Sequence, residues 1–209
     1  MGLLKNLFNQ TRKPEGILGR MMIAGMNTGH AKLSDWGMSQ LMDISPMEIL
    51  DIGCGGGRNA GELLKKYPSS HLMAVDYSLL SVKKTREYNK DMIAKGRCDV
   101  QEGDVSALTL EAEKYDLVTA FETIYFWPGL KKCFGQVVRV LKPKGIFVIC
   151  NESDGTDAAS LKFEKIISGM KVHTVNEIET ALTAVGFFEV SVVHHPSRPW
   201  ITVIARKRP

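Results

Sequence analysis

The sequence lacks any apolar run that approaches the roughly 20 residues a helix needs to cross a bilayer. Its amino terminus also lacks the long apolar segment and small-residue cleavage site of a secretory signal. We therefore expect a cytoplasmic protein with no membrane span. With 209 residues, the chain is long enough for one well-buried domain and short for two.

Cysteine is scarce, and the four cysteines are scattered without a Cys-x-x-Cys pair; they are Cys54, Cys98, Cys133 and Cys150. A zinc site needs clustered ligands, and a disulfide framework would be denser in a small secreted domain. We expect four buried free thiols and no metal site.

Positive charge shows no clustering typical of a nucleic-acid surface. The formal net charge is +4, and the largest basic cluster, Arg206 to Arg208, lies at the end of the chain. A short terminal cluster is more typical of a solvated tail. We expect a small-molecule partner and no nucleic acid, and we leave the oligomeric state open.

From Met47 onward, strand-like and helix-like patterns alternate. Apolar β-rich runs predict strands at 47–51, 71–76, 98–102, 115–121 and 145–150, and helical patterns lie between them, including 79–92 and 130–141. A capping box at Thr174 opens a further helix, which Gly186 ends. Two last runs, 188–193 and 200–205, are close enough to form an antiparallel hairpin. This alternation predicts βαβ units and a mainly parallel sheet.

Residues 1–46 precede the first predicted strand. They contain a segment rich in methionine and glycine, residues 16–30, and an amphipathic helical pattern that Pro46 ends. Glycine supplies backbone freedom and methionine adapts to different surfaces. We predict that residues 1–46 form a helical cap or lid, ahead of a ligand-binding domain at 47–209. The alternative is a helix that packs permanently on the sheet edge.

A glycine loop directly follows the first strand. Asp51 ends the strand, and Gly53, Gly55 and Gly57 follow at alternate positions. Glycines at this place let the backbone approach a ligand at the start of a helix. A dinucleotide fingerprint would require glycine at the position of Arg58, and no Gly-Lys-Ser/Thr of a P-loop follows. The loop therefore disfavours a nicotinamide oxidoreductase.

Acidic residues also end the second strand and follow the third. Asp76 is placed to accept hydrogen bonds from the two ribose hydroxyls of an adenosine. Asp104 could accept from the adenine amine while the Val105 N–H donates to a ring nitrogen, with Tyr77 against the purine face. The alternatives are a helix N-cap for Asp76 and a turn role for Asp104.

In order and spacing, these segments resemble the motifs of class I S-adenosylmethionine-dependent methyltransferases. The matching segments are Ile49–Gly57, Ala74–Ser78, Gly103–Val105, Tyr115–Val118 and Val140–Gly145, within residues 47–205. Inside this class, the sequence looks closest to the small-molecule enzymes of the ubiquinone/menaquinone-biosynthesis type.

The resemblance implies an α/β fold with a Rossmann-like, doubly wound, seven-stranded and mainly parallel sheet in the order 3-2-1-4-5-7-6, strand 7 being antiparallel. It implies S-adenosyl-L-methionine as the cofactor. The loop Gly53–Gly57 would hold the methionine part, Asp76 the ribose, and Asp104 with Val105 the adenine, while Phe121 would border the sulfonium. The predicted cofactor-binding residues are thus Asp51, Gly53, Gly55, Gly57, Asp76, Tyr77, Asp104, Val105 and Phe121.

Methyl transfer from a sulfonium is an in-line displacement that depends largely on alignment and desolvation. A general base is needed only for a hydroxyl or a protonated amine acceptor. Candidate bases are His30 and Tyr125; the alternatives are a surface or capping histidine and a pocket wall. We exclude His194 and His195 because we expect them at the opposite end of the sheet.

These observations predict a methyltransferase that acts on a small molecule. Two alternatives stay open, a methyltransferase acting on protein or RNA and a non-catalytic subunit that binds an adenosyl ligand. Residues 122–127, on the acceptor side, match no substrate-defining motif.

Overall fold

The computed structural model of the protein describes residues 14–41 and 44–209. The predicted cap at 1–46 therefore lies partly outside the described residues. The helices are α1 (Gly16–Gly29), α2 (Ala31–Ser39), α3 (Arg58–Lys66), α4 (Leu79–Tyr88), α5 (Lys90–Ala94), α6 (Leu130–Val140), α7 (Ala158–Ile166) and α8 (Val175–Val185). The strands are β1 (Glu48–Ile52), β2 (His71–Asp76), β3 (Cys98–Glu102), β4 (Tyr115–Phe121), β5 (Leu141–Asn151), β6 (Phe187–His194) and β7 (Ile201–Lys207). Single 3-10 turns cover Val105–Ala107 and Ile124–Phe126.

The strands form one seven-stranded sheet in the order β3-β2-β1-β4-β5-β7-β6. The pairs from β3 to β5 are parallel, and β7 is antiparallel to both β5 and β6. The central strands are buried along nearly their whole length because helices cover both faces of the sheet. The predicted fold class is confirmed.

Alternating side chains of the central strands enter two separate apolar layers. Leu50 and Val118 belong to the layer under α6 and α8, whereas their neighbours Ile49 and Leu117 belong to the layer under α2, α3 and α4. This is the period of two that a β-strand imposes. All four cysteines are free and buried, as predicted.

Two helix boundaries differ from the prediction. The helix predicted at 79–92 is interrupted at Asn89, whose side-chain amide donates to the carbonyl groups of Gly57 and Thr85 at 2.9 and 3.1 Å. Helix α6 ends at Val140, and Leu141 already pairs with Tyr115 of β4. Local sequence patterns do not reveal such tertiary hydrogen bonds and pairings.

The last hairpin lies at the carboxyl edge of the parallel strands, so the reason for excluding His194 and His195 was wrong. Ile201 pairs with both Asn151, at the end of β5, and His194, at the end of β6. Strand β6 therefore runs parallel to β5. His195 nevertheless has other partners, since its ring packs 4.9 Å from Trp200 and lies outside the cavity described below.

Helices α1 and α2 precede the sheet and reach its ligand-binding edge. The Asn27 side-chain amide donates to the Gly56 carbonyl at 3.3 Å, and the Ser78 hydroxyl donates to the Pro14 carbonyl at 3.1 Å. The Arg58 guanidinium forms an ion pair with Asp35 at 2.7 Å. Of the helices in the described ranges, none combines the length and apolar character of a membrane span.

Candidate active site

A cavity of about 540 Å³ lies where β1, β2 and β4 end. This is the edge at which open α/β sheets bind ligands. Most of the predicted cofactor residues line it, namely Gly53, Gly55, Asp76, Tyr77, Asp104, Val105 and Phe121. The predicted base candidates His30 and Tyr125 line the same cavity.

The glycine loop adopts a backbone conformation with positive φ, which residues other than glycine rarely adopt. Gly53, Gly55 and Gly57 have φ angles of 78°, 53° and 80°. A Cβ atom on Gly53 would overlap the Thr123 hydroxyl, so this glycine permits close packing against the chain after β4. A Cβ atom on Gly55 would meet only the Gly53 carbonyl, at 3.9 Å, and would otherwise enter the cavity.

Gly57 and Asp51 do not line the cavity. Gly57 is the N-cap of α3, and a Cβ atom there would lie 2.7 Å from the Thr85 Cα atom, so the glycine permits α3 to approach α4. The Asp51 carboxylate is buried near the end of β1, where Oδ1 accepts a 2.8 Å bond from Thr119 Oγ1 and Oδ2 has no hydrogen-bond partner among the described residues. Burial raises the pKa of Asp51 to about 7. A direct cofactor contact by these two residues stays a prediction.

Asp76 holds the loop and faces the cavity at the same time. Its Oδ2 atom accepts from the Gly55 N–H and its Oδ1 atom from the Ser78 N–H, both at 2.9 Å. Burial raises the pKa of Asp76, and these two N–H groups oppose that shift. The Ser81 hydroxyl and the Tyr77 N–H are also donors to this carboxylate, which lines the cavity. The alternative role as a helix N-cap is wrong, because Ser78 caps α4.

At the adenine end predicted from the sequence, Asp104 combines two roles. Its Oδ1 atom accepts a 2.7 Å bond from the Ser106 N–H, which is the predicted alternative of a turn residue. Asp104 also lines the cavity beside Val105. Tyr77, with 39% of its surface exposed, borders the cavity next to Asp76.

At the other end of the cavity, Glu122 organises a small polar network. Its Oε1 atom accepts from the Tyr125 hydroxyl at 3.2 Å and from the Glu152 N–H. Burial first, and then the nearby Glu152, raises the pKa of Glu122 well above its usual value. Burial and Glu122 likewise raise the pKa of Tyr125. The tyrosine therefore stays protonated at neutral pH and acts here as a hydrogen-bond donor.

His30, Glu122 and Glu152 come together at this end, with one ligating atom of each within 4.8 Å of the others. The two glutamates were not predicted from the sequence. The signal was available, since Glu122 directly follows β4 and Glu152 directly follows β5, as acids follow β2 and β3. They were overlooked because no motif of the resembled family includes them.

Apolar side chains make up much of the remaining wall, beside a few polar ones such as Thr123 and Ser160. The apolar side chains come from α1, the turn after β4 and the α7 region: Met22, Met26, Phe126, Trp127, Phe163, Ile167 and Met170. Within the described part of the chain, four carboxyl groups and no lysine or arginine line the cavity. This electrostatic environment favours a positively charged ligand.

The glycine loop and most of the residues that line the cavity lie in a segment that matches a known family model. Residues 44–186 match the model described as a methyltransferase domain. The chain is 27% identical over 154 residues to a malonyl-[acyl-carrier protein] O-methyltransferase of Methylovorus sp. (strain MP688), covering 70% of this chain and 52% of the relative. It is 26% identical over 150 residues to a sterol 24-C-methyltransferase of Debaryomyces hansenii, covering 68% of this chain and 40% of the relative.

A solved structure shares the fold over nearly the whole chain. A chain in the complex of the Haloferax volcanii Trm112 methyltransferase activator has a TM-score of 0.81 at 16% identity, covering 90% of this chain and 94% of that one. The protein spans about half the length, or less, of the two curated relatives above. The family match, which covers more than half of the chain, confirms the resemblance at the level of the family, and the protein belongs to the methyltransferase-domain family.

Proposed function

We propose that the protein is an S-adenosylmethionine-dependent methyltransferase that transfers a methyl group to a small-molecule acceptor by in-line displacement. The observation that carries this proposal is the single cavity shared by the glycine loop, Asp76 and the apolar end with Glu122. One cavity can therefore hold donor and acceptor side by side, and alignment of the two reactants is the main requirement of such a displacement.

The residues present fit the donor. When bound, S-adenosylmethionine supplies a methyl group activated by a sulfonium. Asp76 presents a carboxylate to the cavity that suits vicinal ribose hydroxyls, and the open side of Gly55 leaves room for the methionine part. Asp104 and Val105 border the adenine region, and Phe121 lies beside Glu122 at the acceptor end. A cavity lined by carboxyl groups without lysine or arginine, in the described residues, complements a sulfonium.

A small acceptor is favoured by the shape of the site. The acceptor end belongs to a cavity of about 540 Å³ with many apolar lining side chains and, in the described residues, no lysine or arginine, unlike the basic groove that binds nucleic acid. According to their names, the relatives act on malonyl-[acyl-carrier protein] and on sterols, so the family accommodates different acceptors. Assignment to the ubiquinone/menaquinone-biosynthesis type is part of this proposal and rests on the sequence resemblance alone.

We also propose that α1 with the following turn acts as a lid, as the sequence predicts for residues 1–46. Met22, Gly25, Met26, Asn27 and His30 line the cavity, so this segment separates the site from solvent. Among the described residues, its hydrogen bond to the glycine loop runs from the Asn27 side-chain amide to the Gly56 carbonyl. Closure of such a segment would exclude water from the reacting groups.

A screen with isotopically labelled methyl donor tests the function. Purified protein is incubated with the donor and separate pools of small metabolites, RNA and protein, and label transfer is followed by mass spectrometry. We expect label in a small molecule and formation of S-adenosylhomocysteine. Label only in the RNA or protein pool would replace the small-molecule proposal, and donor binding without transfer to any pool would favour a non-catalytic subunit.

A further inference from the structure

Two carboxylates face the acceptor end of the cavity from neighbouring strands. We call Glu122 and Glu152 the acceptor carboxylate pair. Strands β4 and β5 are parallel and end in register, with Phe121 opposite Cys150, so the residues that follow them lie side by side. His30 approaches the pair from the turn between α1 and α2.

The pair is held by donors that leave part of it free. Glu122 Oε1 already accepts from Tyr125 and from the Glu152 N–H. Neither carboxylate forms an ion pair with a lysine or arginine of the described residues. The second oxygen of Glu122 and the carboxylate of Glu152 are therefore available to a ligand in the cavity.

Two neighbouring carboxylates in an enclosed site are unfavourable when both are ionised. A cation placed between them would remove this repulsion and gain charge-assisted hydrogen bonds. Much of the surrounding wall is apolar, with Trp127, Phe163 and Met170 among its members. The site is thus complementary to a molecule that is hydrophobic except for one positively charged group. It is unsuited to a carboxylate or phosphate acceptor, because no lysine or arginine faces it in the described residues.

We infer that the acceptor is a hydrophobic amine whose nitrogen is held by Glu122 and Glu152. This inference rests on the proposed function and narrows it to a substrate class. An ammonium N–H transfers its proton to a carboxylate of the pair, which leaves a neutral amine. The nitrogen lone pair then forms the N–C bond to the methyl carbon while the C–S bond breaks and its electron pair stays on sulfur. The methylated nitrogen is again a cation and stays opposite the remaining carboxylate charge.

Two features support this sequence of proton and methyl transfer. Both glutamates line the cavity, and burial with the neighbouring Glu152 raises the pKa of Glu122, which strengthens its affinity for the proton that the ammonium must lose. The positive charge of the reactants also ends on the acceptor, so the pair stabilises the product side of the displacement. Both roles require direct contact with the acceptor nitrogen, which makes the two glutamates catalytic residues in this proposal.

The experiment compares ligands that share a skeleton and differ in one group. Phenylethyl and n-decyl compounds carrying an amine, an alcohol or a carboxylate are titrated by calorimetry into protein saturated with S-adenosylhomocysteine, so binding is read without turnover. We expect the amine of at least one series to bind about 10-fold or more tighter than its alcohol and carboxylate, the size expected for one charge-assisted hydrogen bond. Mass spectrometry with the methyl donor should then detect the N-methylated amine.

Matched variants test whether the preference for amines depends on the acceptor carboxylate pair. Glu122→Gln keeps an oxygen for Tyr125 and the Glu152 N–H, and Glu152→Gln keeps the side-chain volume, so both should fold, as circular dichroism will show. Each should reduce the amine preference at least about 5-fold, since a charge-assisted bond becomes a neutral one. Glu179→Gln, on α8 and outside the cavity, serves as the control and should keep the preference.

Three results would overturn the inference. They are equal binding of amines, alcohols and carboxylates, an unchanged preference in both glutamine variants, and an amine preference that disappears with a chelator and returns with Mn²⁺ or Zn²⁺. The last result would identify His30, Glu122 and Glu152 as a metal site. If S-adenosylhomocysteine itself fails to bind, the proposed function fails instead, so the two failures are distinguishable.

Discussion

Replacing Gly55 and Gly57 separately with alanine distinguishes a ligand-binding glycine from a packing glycine within one loop. Both residues have positive φ, 53° and 80°, so each alanine substitution should lower the unfolding free energy by about 1–2 kcal/mol, because alanine disfavours a left-handed backbone. The surroundings differ, because the added methyl group enters the cavity at position 55 and meets Thr85 and Asn89 at position 57.

The two variants should therefore lose different properties. For Gly57→Ala, contacts of 2.7 Å to the Thr85 Cα atom and 2.8 Å to Asn89 Nδ2 add a strain of about 1–3 kcal/mol, for a total of roughly 2–5 kcal/mol. Gly55→Ala should lose only about 1–2 kcal/mol of unfolding free energy. Its methyl group should nevertheless weaken donor binding on the order of 10-fold or more, because it occupies space proposed for the methionine part.

Urea denaturation of the ligand-free variants measures the unfolding free energy. Calorimetry with S-adenosylhomocysteine under folding conditions measures the affinity of the donor site. The reasoning is refuted if Gly55→Ala keeps its affinity while folded Gly57→Ala loses it. Equal losses of stability in the two variants would contradict the packing assigned to Gly57.

Three further predictions concern Asp51, Asp76 and residues 17–30. Because the folded pKa of Asp51, about 7, lies above its ordinary value of 3.8, ionisation disfavours the fold, and unfolding free energy should fall as pH rises from about 4 to 7. Asp51→Asn should remove roughly 2–3 kcal/mol of the fall in unfolding free energy between pH 5 and 8, measured by urea titration at each pH. If the dependence of unfolding free energy on pH is the same in the variant, the burial argument is contradicted. Asp76→Ala should lose two ribose hydrogen bonds of about 1.5–3 kcal/mol each, seen in calorimetry, and cost stability through the unpaired N–H groups of the loop. Residues 17–30 should gain hydrogen-exchange protection when donor binds, and equal protection in both states would favour a permanently packed helix.

The fold could be predicted from the sequence because its signals are local or ordered along the chain. Buried apolar runs mark the strands, the glycines after β1 mark the first loop, and the Thr174–Glu177 capping box is present as predicted. The break at Asn89 could not be predicted, since it depends on a hydrogen bond to Gly57, 32 positions earlier. The end of the sheet at which the last hairpin lies was misjudged for the related reason that the pairing of β7 with β5, and not local pattern, fixes it.

The donor half of the site could be predicted better than the acceptor half. Asp76 and Asp104 line the cavity as predicted, because Asp76 ends, and Asp104 closely follows, a strand that the local sequence pattern marks. Glu122 and Glu152 are 30 residues apart, and only the register of β4 against β5 brings them together. Motif membership predicted a ligand contact for Asp51 and Gly57 as well, but neither lines the cavity, and Gly57 permits the close approach of α3 to α4.

The most direct test of the central claim is a calorimetric titration of the purified protein with S-adenosylmethionine, S-adenosylhomocysteine and NADH. The account predicts one site per chain for both adenosyl compounds, with comparable affinities on the order of micromolar, and loss of binding in Asp76→Ala. Tight binding of NADH with no binding of either adenosyl compound would contradict it.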